Sequence, residues 1–153
     1  MQQRIDVTKV SPAAYKAVAA LQAYVDQSSI EAKLRALIKV RASQINGCAY
    51  CIAMHTRDAR KLGESDERMH LLNAWREAPI YTLREQAALA WTEAVTLVAD
   101  GQVPDKVYEF VREQFTEPEI VDLTATVVAI NAWNRIAIAF RTPPQVSSQK
   151  IAA

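Results

Sequence analysis

Residues 44–55 read Gln44-Ile45-Asn46-Gly47-Cys48-Ala49-Tyr50-Cys51-Ile52-Ala53-Met54-His55, and the rest of the chain is interpreted around them. The stretch holds both cysteines and one of the two histidines of the protein. On a helix that advances ~100° per residue, Cys48, Cys51 and His55 lie within about 60° of one another. One helix face therefore carries two thiols and an imidazole, which indicates dithiol redox chemistry.

The position of the two cysteines in this helix bears on their reactivity. Asn46-Gly47 is a turn signal, and Asn46 as N-cap would place Cys48 in the first helical turn. Unpaired backbone N–H groups and the helix dipole favour a thiolate there, which predicts Cys48 as the thiol of lower pKa. His55, one turn beyond Cys51, favours Cys51 as the activated nucleophile instead. From the residues alone, the attacking thiol is left open.

Length and composition indicate one soluble domain. The chain has 153 residues, half of them apolar, which is enough for a real core. Its 18 Lys and Arg against 17 Asp and Glu give a net charge of +1. The sequence also has no run of basic residues, so nucleic acid is not an expected partner. The N-terminus lacks the apolar core of a signal peptide, and no apolar run approaches the ~20 residues of a membrane span. We therefore expect a cytoplasmic protein without a membrane partner, where a Cys-x-x-Cys pair is more often catalytic or metal-binding than structural.

Capping residues and helical periodicity predict an all-α fold of about seven helices. No segment alternates apolar and polar residues in a way that helical periodicity does not explain equally well. The predicted helix starts are Ser11-Pro12, a capping box at residues 28–31, the Cys-x-x-Cys, Ser65, a second capping box at residues 82–85, Pro104-Asp105 and residues 116–119. The third, fifth and seventh helices are expected to end at Leu62-Gly63, Asp100-Gly101 and about Phe140. Residues 1–141 then form the helical domain, and the polar residues 142–153 a mobile tail.

The last predicted helix is apolar on more than one face. A helix of this kind is buried, and a partner subunit can provide part of the burial, so we expect a homo-oligomer. Three tryptophans at helical spacings are expected in the core: Trp75, Trp91 and Trp133. The polar residues of the last helix are expected to form an interior or interface network: Asn131, Asn134 and Arg135.

The pattern Cys-x-x-Cys-x-x-x-His after Gln-Ile-Asn-Gly resembles the AhpD-like alkylhydroperoxidase group of the carboxymuconolactone decarboxylase family. Residues 33–35, 91–96 and 131–135 also look like that family, so the likeness covers most of residues 28–140. The resemblance implies an all-α trimer or hexamer that reduces organic hydroperoxides or hydrogen peroxide and needs no cofactor.

The resemblance also implies roles for individual residues. In the family pattern the second cysteine, here Cys51, attacks the peroxide, and the first, Cys48, resolves the sulfenic acid. His55 belongs to a proton relay, and a dithiol reductant such as a lipoyl or thioredoxin-like protein restores the thiols. Two positions depart from the pattern: the relay glutamate corresponds to Ala36, and the residue before the second cysteine, often histidine, is Tyr50.

Glu93 is our sequence-based candidate for the missing carboxylate. It interrupts a small, apolar helix face, where an acid would be costly without a partner. Pairing with His55 would orient the ring and raise its basicity, although Glu93 on a solvated face is an equal alternative. Tyr50 is either a core aromatic or a hydrogen-bond donor that lines the peroxide pocket.

Other functions compete with the peroxidase. A general disulfide oxidoreductase or redox sensor would use the same thiols without peroxide specificity, and the absence of glutamate at Ala36 favours it. A zinc site of Cys48, Cys51 and His55 would need a fourth ligand, and His70, otherwise expected at the surface, would be the only histidine left. Carboxymuconolactone decarboxylation is less favoured, because that branch of the family does not depend on a Cys-x-x-Cys pair.

Overall fold

The computed structural model describes residues 2–145, and over that range the chain is helical with no strand. Eight α-helices and one short 3-10 helix follow one another: α1 Val7–Val10, α2 Pro12–Asp26, α3 Ala32–Asn46, α4 Ala49–Lys61, α5 Asp66–Leu71, the 3-10 helix Leu72–Ala74, α6 Leu83–Thr96, α7 Asp105–Arg112 and α8 Glu117–Phe140. The all-α prediction is confirmed. Most of the predicted tail, residues 146–153, lies outside the described residues.

Helix α3 is the axis of the bundle, because it packs against α4, α6 and α8. Buried apolar side chains project from it in several directions, and Leu37 and Ile38 are fully buried. Full burial of a Leu or Ile side chain stabilises a fold by about 1.5–3 kcal/mol relative to exposure. The turn between α3 and α4, which lies within residues 44–55, is therefore held in place by a well-packed helix.

Three apolar clusters make up the core. One joins α3, α6, α7 and α8 through residues such as Leu123 and Val127, and a second joins α3 to α6 and the 3-10 helix through Leu72 and Leu89. The third cluster contains the redox pair, Cys48 and Cys51, packed with Ala42 of α3 and with Ile130 and Ala137 of α8. The two cysteines thus lie where α3, α4 and α8 meet.

The structure confirms several of the predicted helix ends and their capping residues. Thr82 and Glu85 form a reciprocal capping box at α6, and Glu119 accepts hydrogen bonds from the backbone N–H and hydroxyl of Thr116 at α8. Ser65 caps α5, and Gly63, with φ +83°, follows the end of α4. Two details were missed: α1 was not predicted, and α6 ends at Thr96, before Asp100-Gly101.

The predicted capping box at residues 28–31 is wrong. Glu31 is the N-cap of α3 without a side-chain cap, and its carboxylate pairs with Arg84 at 3.0 Å. Ser29 donates from its backbone N–H and its hydroxyl to Asp122 of α8, at 3.0 and 2.8 Å. Charged partners from distant helices replace the local bonds: Arg84 pairs with the Glu31 carboxylate, and the Asp122 carboxylate accepts from Ser29.

Helix α8 carries the longest apolar face of the described chain. By length and composition it is the one helix within residues 2–145 that could cross a membrane, with a mean hydropathy of 1.3. It packs against α2, α3 and α6, as the core helix of a soluble bundle does. Val121, Val128 and Ile138 nevertheless remain 63%, 47% and 45% exposed. The oligomer predicted from this helix stays a prediction.

Candidate active site

A left-handed glycine sets the turn between α3 and α4. Gly47 has φ +68° and ψ +30°, and the following N–H of Cys48 bonds back to the carbonyl of Ser43 at 3.0 Å, which closes α3. Cys48 itself is the N-cap of α4, and its sulfur accepts the backbone N–H of Cys51 at 3.4 Å. The predicted N-cap, Asn46, is therefore wrong by two residues, because Asn46 still belongs to α3.

Both thiols are free and almost fully buried, and their sulfurs are 2.8 Å apart. The hydrogen bond from the Cys51 thiol lowers the pKa of Cys48 to about 7 against the effect of burial, with help from the Cys51 N–H and from Asn134. The same hydrogen bond, burial and the negative charge of Cys48 raise the pKa of Cys51. Cys48 thus takes the negative charge first and Cys51 keeps the shared proton, in agreement with the helix-end argument.

A buried amide network fixes this turn to α8. Asn134 is fully buried, donates to the hydroxyl of Ser43 at 3.0 Å and accepts from Asn46 at 2.9 Å. Asn46 also donates to Asn131 at 3.0 Å, and Arg135 donates to the same Asn131 oxygen at 2.7 Å. The predicted interior polar network is therefore confirmed for Asn131 and Asn134, whereas Arg135 joins it from an exposed position.

A cavity of about 550 Å³ opens beside the redox pair. Cys51, Tyr50, Met54 and His55 line it from α4, whereas Cys48 does not reach it. Its apolar wall also includes side chains from α2, α3 and α8: Tyr15, Ala36, Trp133 and Ile136. A cavity of this size accommodates a small organic molecule. The sulfur that such a molecule would meet is that of Cys51.

His55 lies half-buried in the cavity wall. Burial and the positive charge of Lys39 lower its pKa to about 4, against the opposing charges of Asp58 and Asp26. The ring is therefore neutral at neutral pH, and its free lone pair is able to accept a hydrogen bond. Within the described chain, its side chain makes no hydrogen bond to another residue.

The cavity also contains a lysine that the sequence analysis missed. The Lys39 side chain is 12% exposed, and its Nζ lies 3.4 Å from a carboxylate oxygen of Asp26. Burial lowers the pKa of Lys39, and the nearby Asp26 opposes that effect. The available signal was the position of Lys39 between the apolar residues Ile38 and Val40, three residues after Ala36 on the same helix.

The structure places Glu93 away from the cavity, so the predicted pairing with His55 is wrong. One Glu93 oxygen accepts from Arg41 Nε at 2.8 Å and from Trp75 Nε1 at 2.8 Å, and the other pairs with Arg76 at 2.5 Å. Burial disfavours the charge of Glu93, but the hydrogen bonds from Trp75, Arg76 and Arg41 hold its pKa below the ordinary value. Two guanidinium groups satisfy a buried carboxylate better than a neutral imidazole does.

Several other expectations are decided by the same geometry. No three His, Cys, Asp or Glu side chains in residues 2–145 lie together as metal ligands, so the zinc alternative has no site there. His70 is exposed, as expected. Trp75 and Trp91 are buried in the core as predicted, but Trp133 is only half-buried and lines the cavity, 5.2 Å from the ring of Tyr15.

Comparison with known proteins gives one family. Residues 12–94 match the carboxymuconolactone decarboxylase family. The uncharacterized protein YdfG of Bacillus subtilis (strain 168) is 46% identical over 91% of this chain and 95% of its own length. The crystal structure of ATU0492 from Agrobacterium tumefaciens, a protein of unknown function proposed to be the antioxidant defence protein AhpD, is also 46% identical. It covers 95% of this chain and all of its own, with a TM-score of 0.93.

More distant structures share the fold. An uncharacterized peroxidase-related protein from Ralstonia eutropha JMP134, described as an alkylhydroperoxidase AhpD core, has a TM-score of 0.79 at 22% identity, over 91% of this chain and 74% of its own. The debrominase Bmp8 has the same TM-score at 18% identity, over 88% of this chain and 73% of its own. The helical arrangement is thus common to proteins with different names.

Proposed function

Because the chain belongs to the carboxymuconolactone decarboxylase family and holds a dithiol beside a cavity, we propose that it is a thiol-dependent peroxidase. Its substrate would be an organic hydroperoxide or hydrogen peroxide. One observation carries the proposal: Cys51 lines the cavity together with a neutral His55, and Cys48 lies directly behind it, with 2.8 Å between the sulfurs.

Access to the cavity supports different roles for the two thiols. Cys48 has the lower pKa, but it does not line the cavity, so a peroxide would meet Cys51 first. The Cys48 thiol is partly ionised at neutral pH, and transfer of the Cys51 proton to the Cys48 thiolate exposes a Cys51 thiolate. Cys51 is therefore the attacking thiol and Cys48 the resolving one.

The reaction proceeds in two displacements. The Cys51 thiolate attacks the terminal peroxide oxygen, the S–O bond forms, the O–O bond breaks, and the alkoxide leaves and is protonated to an alcohol. The Cys48 thiolate then attacks the Cys51 sulfenic acid, the S–S bond forms, and hydroxide leaves and is protonated to water. The hydroxide takes the proton that Cys51 passed to Cys48, and the proton on the alcohol replaces the one that the Cys48 thiol had released to solvent. An external dithiol, lipoyl or thioredoxin-like, would return two electrons to the disulfide.

A second function uses the same pair. With Ala36 at the position of the family glutamate and Glu93 bound to arginines, the cavity lacks the expected relay carboxylate. A Cys48 pKa of about 7 alone supports thiol–disulfide exchange, because part of the thiol is ionised at neutral pH. The alternative is a general disulfide oxidoreductase or redox sensor. Cytoplasmic location and a homo-oligomer, trimer or hexamer, belong to either proposal.

Thiol counting with cysteine variants tests the proposal. Reduced protein is mixed with one equivalent of cumene hydroperoxide, and free thiols are counted over time in wild type, Cys48→Ser and Cys51→Ser. We expect wild type to lose two thiols rapidly, and Cys48→Ser alone to accumulate a sulfenic acid that dimedone traps. A wild type that stays reduced toward peroxide but exchanges with a disulfide substrate would support the oxidoreductase instead.

A further inference from the structure

The wall of the cavity beside Cys51 carries a cation, Lys39, three residues after Ala36, the position of the family's relay glutamate. We propose that Lys39 is a further catalytic residue, which donates a proton to the alkoxide that leaves when Cys51 attacks a hydroperoxide. The inference rests on the peroxidase proposal, and it adds a proton donor for the leaving group.

The position of Lys39 is the first argument. Ala36 and Lys39 are three residues apart on α3, and both line the cavity with Cys51 and His55. The Lys39 side chain is 12% exposed, although a lysine ordinarily keeps its ammonium group in water. Its positive charge contributes to the lowered pKa of His55, after the larger effect of burial. Lys39 therefore lines the same cavity as the reacting sulfur.

The second argument is that Lys39 is only loosely paired. The charged groups that face it are Asp26 from α2, Arg35 from α3, and His55 and Asp58 from α4. Asp26 is its one hydrogen-bond partner in the described chain, at 3.4 Å, and the Asp26 side chain is 56% exposed. Arg35, the other cation of this wall, already donates to the backbone carbonyls of residues 26 and 30. Lys39 is therefore the cation with N–H groups to spare for a ligand.

The third argument is chemical. An alkoxide is a strong base and a poor leaving group, so O–O cleavage is faster when a proton is transferred as the bond breaks. Burial makes the Lys39 ammonium group a better acid than a lysine in water, in line with this role. As S–O forms and O–O breaks, Lys39 gives one proton to the alkoxide and becomes a neutral amine. Lys39 then regains a proton from solvent, which reaches it beside the half-exposed Asp26 carboxylate.

Comparing two oxidants in the Lys39→Met variant tests this role. Single-turnover thiol loss is measured with cumene hydroperoxide, whose leaving group is an alkoxide, and with peracetic acid, whose leaving group is a weakly basic carboxylate. Lys39→Met should react about 100-fold more slowly with cumene hydroperoxide, the usual size of general acid catalysis, and be little changed with peracetic acid. Lys39→Arg, which keeps the positive charge but releases no proton, should show the same selective loss. If Lys39→Met folds poorly, the Lys39→Arg variant still tests the proposal.

Lys33→Met is the matched control, because Lys33 is on the same helix with a side chain that is 55% exposed. It should react like wild type with both oxidants. Equal losses with both oxidants in the Lys39 variants would overturn the inference in favour of a structural role, and a wild-type rate in Lys39→Arg would overturn it in favour of a purely electrostatic one. Unchanged rates would overturn it outright. A wild type that is itself inert to cumene hydroperoxide would instead refute the peroxidase, and this inference with it.

Discussion

Replacement of Glu93 by glutamine separates a structural role from a catalytic one. Glu93 and Arg41 are 13% and 12% exposed, so the substitution leaves a nearly buried guanidinium group without its counter-charge. Removal of one partner from a buried pair costs about 3–5 kcal/mol. Arg41 keeps its 2.6 Å bond to Asn73, and the glutamine oxygen still accepts from Trp75, so we expect the lower part of that range, about 3 kcal/mol.

Urea unfolding, followed by tryptophan fluorescence at one fixed protein concentration, measures this cost. With a slope of about 2 kcal/mol per molar urea, the midpoint of Glu93→Gln should fall by more than 1 M. Glu113→Gln is the control, because Glu113 is exposed and forms no ion pair within the described chain. The rate of thiol oxidation by peroxide should not change in either variant. A Glu93→Gln protein of normal stability with little peroxide turnover would refute the reasoning and return Glu93 to the relay.

Two further predictions concern His55 and the exposed face of α8. The folded pKa of His55, about 4, lies below its ordinary 6.5, so the unfolded chain binds the proton first as the pH falls. The contribution of the neutral His55 ring to stability, measured relative to His55→Gln, is therefore complete above pH 6.5 and is lost toward pH 4. Between pH 7 and pH 5, urea unfolding should show that wild type loses up to about 2 kcal/mol relative to the variant. Parallel pH curves would contradict the burial of a neutral ring. For the exposed face of α8, light scattering at micromolar concentration should give the mass of three or six 17.0 kDa chains. The mass should be lower in Val128→Glu but unchanged in the control Val10→Glu, whose valine is exposed outside α8. A monomeric wild type would contradict the oligomer.

The parts of the fold that depend on neighbouring residues could be predicted from the sequence. Thr82 with Glu85 caps α6 because both partners of each bond lie within four residues of one another. The shared face of Cys51 and His55 follows in the same way from helical geometry, and both residues do line one cavity. Both features depend on residues within a few positions of one another in the chain, so the packing of the helices did not change them.

Predictions failed where the partner of a charged group comes from another helix. Glu93 was correctly predicted to need a partner, but the partners are Arg41 and Arg76, which the spacing along the chain does not indicate. Ser29 likewise bonds to Asp122, 93 residues away. Lys39 was overlooked because its importance comes from the cavity, and the packing of α2, α3, α4 and α8 creates that cavity.

The 2.8 Å separation of the two sulfurs within one turn has a consequence for detection of the redox state. Cys48 caps α4 and Cys51 lies in its first turn, so disulfide formation needs only a small adjustment of two side chains and links no pair of distant elements. The oxidised and reduced proteins should have nearly the same hydrodynamic radius, circular dichroism and scattering profile. A signalling protein needs two distinguishable shapes, whereas a catalyst that cycles many times benefits from having only one.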